Sequence, residues 1–343
     1  MKKKNVINLI RYHAENNEPG FRSEAYEIAK EFDQLGDYQL AEYIMALSNA
    51  NTFVPQMGDF SSGFFEKVPV GNEPLPLPEC IEQDVMGMVN AISRNLGINK
   101  YLFQGAPGTG KTETAKQVAR ILNRDLYAVD FSAVIDSKLG QTQKNIVSLF
   151  REMTEFVHPE KVIVLFDEID SIALDRTNSN DLREMGRATS TLLKELDRMD
   201  ERIVLLATTN LFEHFDKAMV RRFDSVIDFS RYTQKDLAEI AEILLNEFLN
   251  KFKCTSRNVR LFRKIISLMN PIPYPGELKN IIRSSVAFSK PTVELDYLKR
   301  LYKNVCPETM DVRVLQSQGF TVREIEILTG ISKSQVAREL KEG

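Results

Sequence analysis

Apolar residues return along this chain with two different periods, and the way the periods alternate predicts its architecture. Between residues 80 and 230, short apolar runs of strand length stand at Tyr101 to Phe103, Asp125 to Phe131, Val162 to Phe166, Arg202 to Ala207 and Ser225 to Phe229. Between them, apolar residues recur every three or four positions, as in Glu113 to Leu122, and helices are expected from Cys80 to about Asn95 and from about Asp181 to Met199. Strands separated by helices predict an α/β fold, a parallel sheet with helices on both faces and a ligand at the strands' carboxyl ends.

The flanks read as helix alone. Residues 1–55 place Ile7, Ile10 and Ala14, then Ala25, Ile28, Ala29, Phe32 and Leu35, on either side of a Pro19-Gly20 turn, which predicts a small N-terminal helical domain. Residues 56–79 shift to Gly, Pro and aromatic side chains and end in Glu73-Pro74-Leu75-Pro76-Leu77-Pro78, the composition of an extended linker. Residues 232–305 return to helical spacing through Leu237, Ile240, Leu244, Leu245 and Phe248, then Leu261, Ile265 and Leu268, then Leu278, Ile281 and Ile282. Pro271 to Gly276 breaks the pattern, and Gly276 opens the next helix. Residues 306–343 read as three short helices with Gly330 at the last sharp turn.

Composition narrows the class. With 343 residues, 43% hydrophobic, 27% charged and a formal net charge of −3, the chain has the make-up of a soluble globular protein and no global basic excess for nucleic acid. Cys80, Cys254 and Cys306 lack C-x-x-C spacing, which speaks against a disulfide framework or zinc site and for a reducing, cytoplasmic setting. The Lys2-Lys3-Lys4 start precedes an apolar stretch that Asn8, Arg11 and His13 interrupt, so no export signal is expected. No run approaches the roughly 18 apolar residues of a membrane span.

The chemistry gathers around Gly105-Ala106-Pro107-Gly108-Thr109-Gly110-Lys111-Thr112, which matches the phosphate-binding pattern G-x-x-x-x-G-K-[ST] between a strand and a helix that opens near Glu113. Glycines there bring backbone N–H groups against phosphate oxygens, and the helix N-terminus adds partial positive charge. Lys111 is placed to reach the β- and γ-phosphates of a bound nucleotide, and Thr112 to ligate Mg²⁺ through its hydroxyl. Downstream, Asp167 ends a fully apolar strand, where it can hold the Mg²⁺ hydration shell, and Glu168 beside it can polarise an attacking water. Asn210 ends the next strand and could orient that water. Arg221 and Arg222 are adjacent guanidinium groups, a pair that repels unless an anion lies near.

Taken together, these segments resemble the AAA+ ATPases, specifically the AAA branch with paired arginine fingers. GAPGTGKT stands for the Walker A loop, VIVLFDEID for Walker B, LLATTN for the sensor-1 strand and FDKAMVRRFD for the finger segment. The resemblance spans about residues 80 to 290. It implies a P-loop NTPase core at 80–231 and a helical lid at 232–305, with Gly276 and Glu277 near the nucleotide. It also implies that Arg221 and Arg222 act on ATP bound to the neighbouring subunit of a homo-oligomeric ring, most often a hexamer. No sensor-2 arginine stands in Pro275 to Lys279, and Arg283 is its weak substitute. Ser137 to Thr142 resembles the family's first pore loop, with Lys138 where an aromatic residue normally precedes the Leu139-Gly140 pair. Such a lysine offers a stem that packs and a charge that meets acidic side chains.

Thr321 to Leu340 resembles a helix-turn-helix, with Ile325 and Val336 facing inward and Ser334, Gln335 and Arg338 on the second helix. It departs from that pattern at Glu326, where a small residue is usual, and in lacking a basic excess. DNA binding by this tail and a protein-docking role both remain open at this level. The leading expectation is a Mg²⁺-dependent ring ATPase that remodels or regulates a protein partner, with a separate effector chain such as a protease in view. A DNA-associated ATPase is the alternative.

Overall fold

A six-stranded sheet carries the central part of the computed structural model, which describes residues 3–15, 17–34, 44, 63–71, 76–136, 140–156, 158–173, 179–214, 217–252, 256–290, 293–307 and 310–341. Its strands are β1 (Phe65–Lys67), β2 (Lys100–Gln104), β3 (Asp125–Val129), β4 (Val162–Phe166), β5 (Val204–Thr209) and β6 (Ser225–Asp228), in the spatial order β1-β3-β4-β5-β2-β6. β3, β4, β5, β2 and β6 pair in parallel, and β1 closes one edge antiparallel to β3. β1 falls inside the stretch read as linker. Only one of its three positions is buried, so it leaves no periodic trace in the sequence.

The chain folds into two units, residues 1–62 and 63–343. In the first, α1 (Lys3–Ala14) and α2 (Glu18–Gln34) bury Ala25, Ile28 and Ala29, while Ile7 and Ile10 face solvent. A helix pair covers only one stripe of each partner, and these two isoleucines lie off it. The expected Pro19-Gly20 turn is instead the first turn of α2, where proline costs no hydrogen bond. The side chain of Asn17 caps that turn by accepting from the Gly20 N–H at 3.1 Å.

In the second unit, α3 (Glu79–Ser93) and α4 (Lys111–Leu122) cover one face of the sheet, with Ile81, Val85, Val118 and Ala119 packed against Tyr101, Phe103, Ile163, Leu165 and Leu206. On the other face, α5 (Gln141–Thr154) sets the ring of Phe150 edge-on to Phe166, with centroids 6.0 Å apart. α6 (Ser179–Arg198) buries Ala188, Leu192 and Leu196 at intervals of one turn. Every residue of β4 and of β5 is buried, as strands covered on both faces require.

Parallel register sets the chemistry at one edge. Gln104 pairs with Thr209 and with Asp228, and Phe166 pairs with Ala207, so the loops leaving β2, β4 and β5 emerge side by side. β2 lies between the last two strands of the chain, and the order reverses beside it, which opens the crevice where such sheets bind ligands.

Beyond the sheet come α7 (Gln234–Lys251), α8 (Val259–Ser267), α9 (Pro275–Ala287), α10 (Asp296–Val305), α11 (Val312–Ser317), α12 (Val322–Thr329) and α13 (Lys333–Glu339). Residues 232–305 and 306–343, read from sequence as successive segments, share a single apolar core that runs from Leu237 through Ile265, Leu298 and Leu315 to Ile325 and Val336. Lys264 fastens the two, donating to Glu324 at 2.6 Å and to the Gly319 carbonyl at 3.0 Å. Burial opposes ionisation of Glu324, but Lys264 and the Thr321 backbone and hydroxyl outweigh it, and the carboxyl titrates below its usual range. Gly330 adopts a left-handed conformation at the end of α12, as the turn there requires. Among the described residues no helix is long and apolar enough to cross a membrane.

Candidate nucleotide site

The loop from Gly105 to Gly110 leaves β2 at the reversal of strand order and feeds α4 at Lys111. Gly108 and Gly110 take φ of 78° and 97°, values that glycine adopts without strain. Lys111 is buried, and its Nζ donates to the carbonyls of Gly105 (2.6 Å) and Ala106 (2.9 Å) and to Oδ1 of Asn210 (2.8 Å). Burial lowers its pKa, and Asp167, Asp170 and Glu168 act against that shift. The ammonium has three donors, and all are engaged on the floor of the cleft. The Thr109 hydroxyl donates to the Ala106 carbonyl at 2.8 Å and braces the loop from inside.

Thr112, one residue into α4, donates to Asp167 Oδ1 and Oδ2 at 3.0 and 3.2 Å. The register of β4 on β5 brings Thr208 alongside, and its hydroxyl donates to Asp167 Oδ1 at 2.7 Å while accepting the Glu168 N–H at 2.8 Å. A hydroxyl and a carboxylate that converge in this way are hard oxygen donors, matched to an ion that keeps several waters and takes few protein ligands. Among the described residues there is no cluster of three His, Cys, Asp or Glu side chains of the kind that would cage a metal alone.

Glu168 stands at φ 51°, a left-handed conformation unusual for a residue with a side chain and a hallmark of strained functional positions. Its Oε1 accepts from Asn210 Nδ2 at 3.1 Å. Asn210 therefore bridges Lys111 and Glu168 with the two ends of one amide.

These residues line a cleft of about 290 Å³. Pro107, Gly108, Gly110, Lys111, Thr112, Glu113, Asp167, Glu168 and Asn210 form its polar end, and Gly276 forms part of its rim. The Gly276 N–H donates to the Gly108 carbonyl at 2.8 Å, and a Cβ on Gly276 would lie 2.9 Å from the Gly108 Cα, closer than backbone atoms tolerate. The first turn of α9 thus rests on the phosphate loop. Tyr232 adds a second tie, its hydroxyl donating to the Thr109 carbonyl at 2.7 Å. Burial, reinforced by nearby anionic groups, drives its pKa well up and keeps the hydroxyl protonated as a donor.

Several lining residues escaped the sequence reading. Ile240, Leu244 and Glu247 line the cleft from one face of α7, with Pro76 opposite in the stretch read as linker. Their i, i+4, i+7 spacing is the available signal, and it is the same signal that marks a lid core. Lys279, one turn beyond Gly276, lines the cleft, whereas Glu277 does not. Arg283 is outside it too and donates to Asn280 at 3.3 Å.

The arginine pair sits elsewhere, and neither member lines the cleft. Arg222 donates through Nε and Nη2 to Asp197 at 3.1 and 3.2 Å and through Nη1 to the Ala218 carbonyl at 3.1 Å. Asp197 is the anion that the adjacent guanidinium groups call for. Arg221 is exposed, and among the described residues its side chain has no hydrogen-bond or ion-pair partner. Lys138 and Leu139 lie outside the described residues.

The family model of the ATPase family associated with various cellular activities (AAA) matches residues 101–231. The uncharacterized AAA family ATPase y4kL of Sinorhizobium fredii is 37% identical over 152 residues, 44% of this chain and 44% of that protein. Proteasome-activating nucleotidase 2 of Haloferax volcanii is 34% identical over 148 residues, 41% of this chain and 35% of that protein. The match thus spans less than half the length of either curated relative. A chain in the solved HORMA:CdnC:Trip13 complex of E. coli MS115-1 shares the fold with a TM-score of 0.58 at 16% identity, covering 72% of this chain and 96% of that one. Residues 101–231 form an AAA domain, the part of the chain that the family model covers.

Proposed function

We propose that this protein is a Mg²⁺-dependent ATP hydrolase that works as a ring, a hexamer by family resemblance, and uses turnover to remodel or regulate a protein partner. The observation that carries the catalytic part is the bridge from Lys111 through Asn210 to Glu168, lying beside the Thr112–Asp167 pair in one cleft. In this reading Lys111 and the N–H groups of residues 105–113 hold the triphosphate, and the apolar wall of Pro76, Ile240 and Leu244 receives the base. Thr112 and Asp167 would hold Mg²⁺, which when bound offsets phosphate charge. Glu168 takes the proton of the attacking water, and Asn210 fixes the direction of that carboxylate. Arg221 and Arg222 serve the neighbouring subunit's cleft, in keeping with their absence from the lining of the chain's own.

A protein partner is favoured over DNA by the turn between α12 and α13. Oε1 of Glu326 accepts the Lys333 N–H at 3.0 Å, which places a carboxylate at the N-terminus of the would-be recognition helix, where a DNA phosphate would have to approach. Glu326, the departure from the helix-turn-helix pattern, thus acts as a cap. The relative named for proteasome activation also points toward work on proteins. Free Cys80 and Cys306 suit a reducing cytoplasm. Lys138 and Leu139 enter only as a pore-loop proposal drawn from the resemblance.

The test is steady-state ATP hydrolysis by the full chain with sedimentation analysis in the presence and absence of nucleotide. Turnover that requires Mg²⁺ and rises with assembly supports the reading. A monomer that hydrolyses at full rate removes the ring from it, and a chain that binds ATP without turnover reduces it to a nucleotide-gated switch.

A further inference from the structure

Asp170 is a buried carboxylate, 6% exposed, in the one-turn helix that follows β4, and none of the roles above uses it. Both of its oxygens point at the end of β5. Oδ1 accepts from the Thr209 hydroxyl, and Oδ2 accepts the Asn210 N–H at 2.9 Å. The Thr209 oxygen in turn accepts the Leu211 N–H at 3.1 Å. One carboxylate therefore fixes three successive residues at the point where β5 gives way to its loop. The middle one is Asn210, whose amide reaches Lys111 in one direction and Glu168 in the other.

We infer that Asp170 is the positioning residue of this site, holding the Asn210 backbone so that its amide keeps Glu168 aimed at the reacting water. The inference rests on the hydrolase reading above and adds a group to it. The physical basis is the strength of hydrogen bonds to a charged, buried acceptor, which resist displacement more than bonds to neutral partners do. Asn210 itself follows the last strand residue and has no strand partner, so without Asp170 its backbone N–H would have no fixed acceptor. An amide at position 170 keeps the volume but offers one acceptor oxygen in place of two, and its NH₂ group would face a donor.

The experiment is a double-mutant cycle of Asp170→Asn and Asn210→Ala in the full chain, read by kcat, KM and the equilibrium affinity for a fluorescent ATP analogue. Asp170→Asn alone should lower kcat toward the roughly 10²-fold loss that a misplacement of about 1 Å produces, with analogue affinity nearly unchanged. In the Asn210→Ala background the same substitution should cost less than about twofold, because the group it positions is gone. Equal losses in both backgrounds, or a loss confined to affinity, would overturn the inference.

A second measurement does not depend on turnover. Amide hydrogen exchange over residues 204–213 should quicken about tenfold in Asp170→Asn, the scale of one charge-assisted hydrogen bond. Unchanged exchange refutes the anchoring whatever the kinetics show. If the wild-type chain does not hydrolyse ATP, the hydrolase reading fails, and exchange alone decides whether Asp170 anchors the segment. Should Asp170→Asn not fold, Thr209→Val at constant shape removes one of the two bonds to Asp170 together with the acceptor of the Leu211 N–H, and the same cycle applies with exchange read at the Asn210 amide.

Discussion

The nucleotide cleft and the arginine segment are both charged, yet they are built in opposite ways. In the cleft, Lys111, Asp167 and Glu168 each have a partner from the same chain at hydrogen-bond distance. In the segment that follows the one-turn helix Lys217–Val220, one guanidinium is tied to Asp197 and the other reaches solvent. The difference teaches that the charges at the floor of the cleft are met within one chain, while Arg221 is presented to solvent. In the ring proposed above, a second subunit would receive such a group.

The comparison breaks first at Lys111. Lys111→Ala should abolish measurable binding of an ATP analogue, since it removes the buried ammonium at the floor of the polar end; retained micromolar affinity would show that the loop amides alone hold the phosphates. Next comes Arg221→Ala, which should bind ATP normally and lose about 10³-fold or more in turnover, as fingers supplied in trans do. Titrating Arg221→Ala subunits with Glu168→Gln subunits should restore part of the rate, because some interfaces then join an intact carboxylate to an intact finger. A flat mixing curve with mixed rings present would place the arginine in its own chain's service.

Glu168→Gln should keep nucleotide affinity within a few-fold and lower turnover by about 10² to 10⁴, the usual worth of a general base. Wild-type turnover in this variant would move the base elsewhere. The smallest effect is expected at Asp197→Asn. Its pair with Arg222 is partly exposed, so thermal or urea unfolding should register about 1 kcal/mol or less. A turnover loss as large as that of Arg221→Ala would mean that Asp197 holds the finger segment in register, and would sharpen the contrast between the two arginines.

Much of this was readable from residue order. Val162 to Phe166 is apolar at every position and proves buried at every position, and the phosphate loop announces its own strand and helix. What stayed hidden has physical reasons. β5 runs to Thr209 although its last two residues are polar, because they pair with Phe103 and Gln104 of β2, a partnership set by topology. β1 is too short for a period. The fusion of lid and tail rests on contacts such as Lys264 with Glu324, residues separated along the chain by more than two helices. Asp170 and Thr208 look like ordinary polar neighbours of a strand end until parallel register sets them beside Asn210 and Asp167. Lys279 and Glu247 face the cleft only because α9 and α7 are folded back onto the loop.

The two ties between lid and phosphate loop restrict how this chain can be recombined with others. Gly276 must meet Gly108 without a side chain, and Tyr232 must find the Thr109 carbonyl. A chimera that joins this core to a foreign lid at residue 232 therefore inherits a seam rather than a flexible joint. Such a graft will preserve the cleft only when the incoming segment brings both a glycine and a phenol at matching positions, so a unit of exchange must carry the whole sheet with its phosphate loop and continue through the helix that holds Gly276.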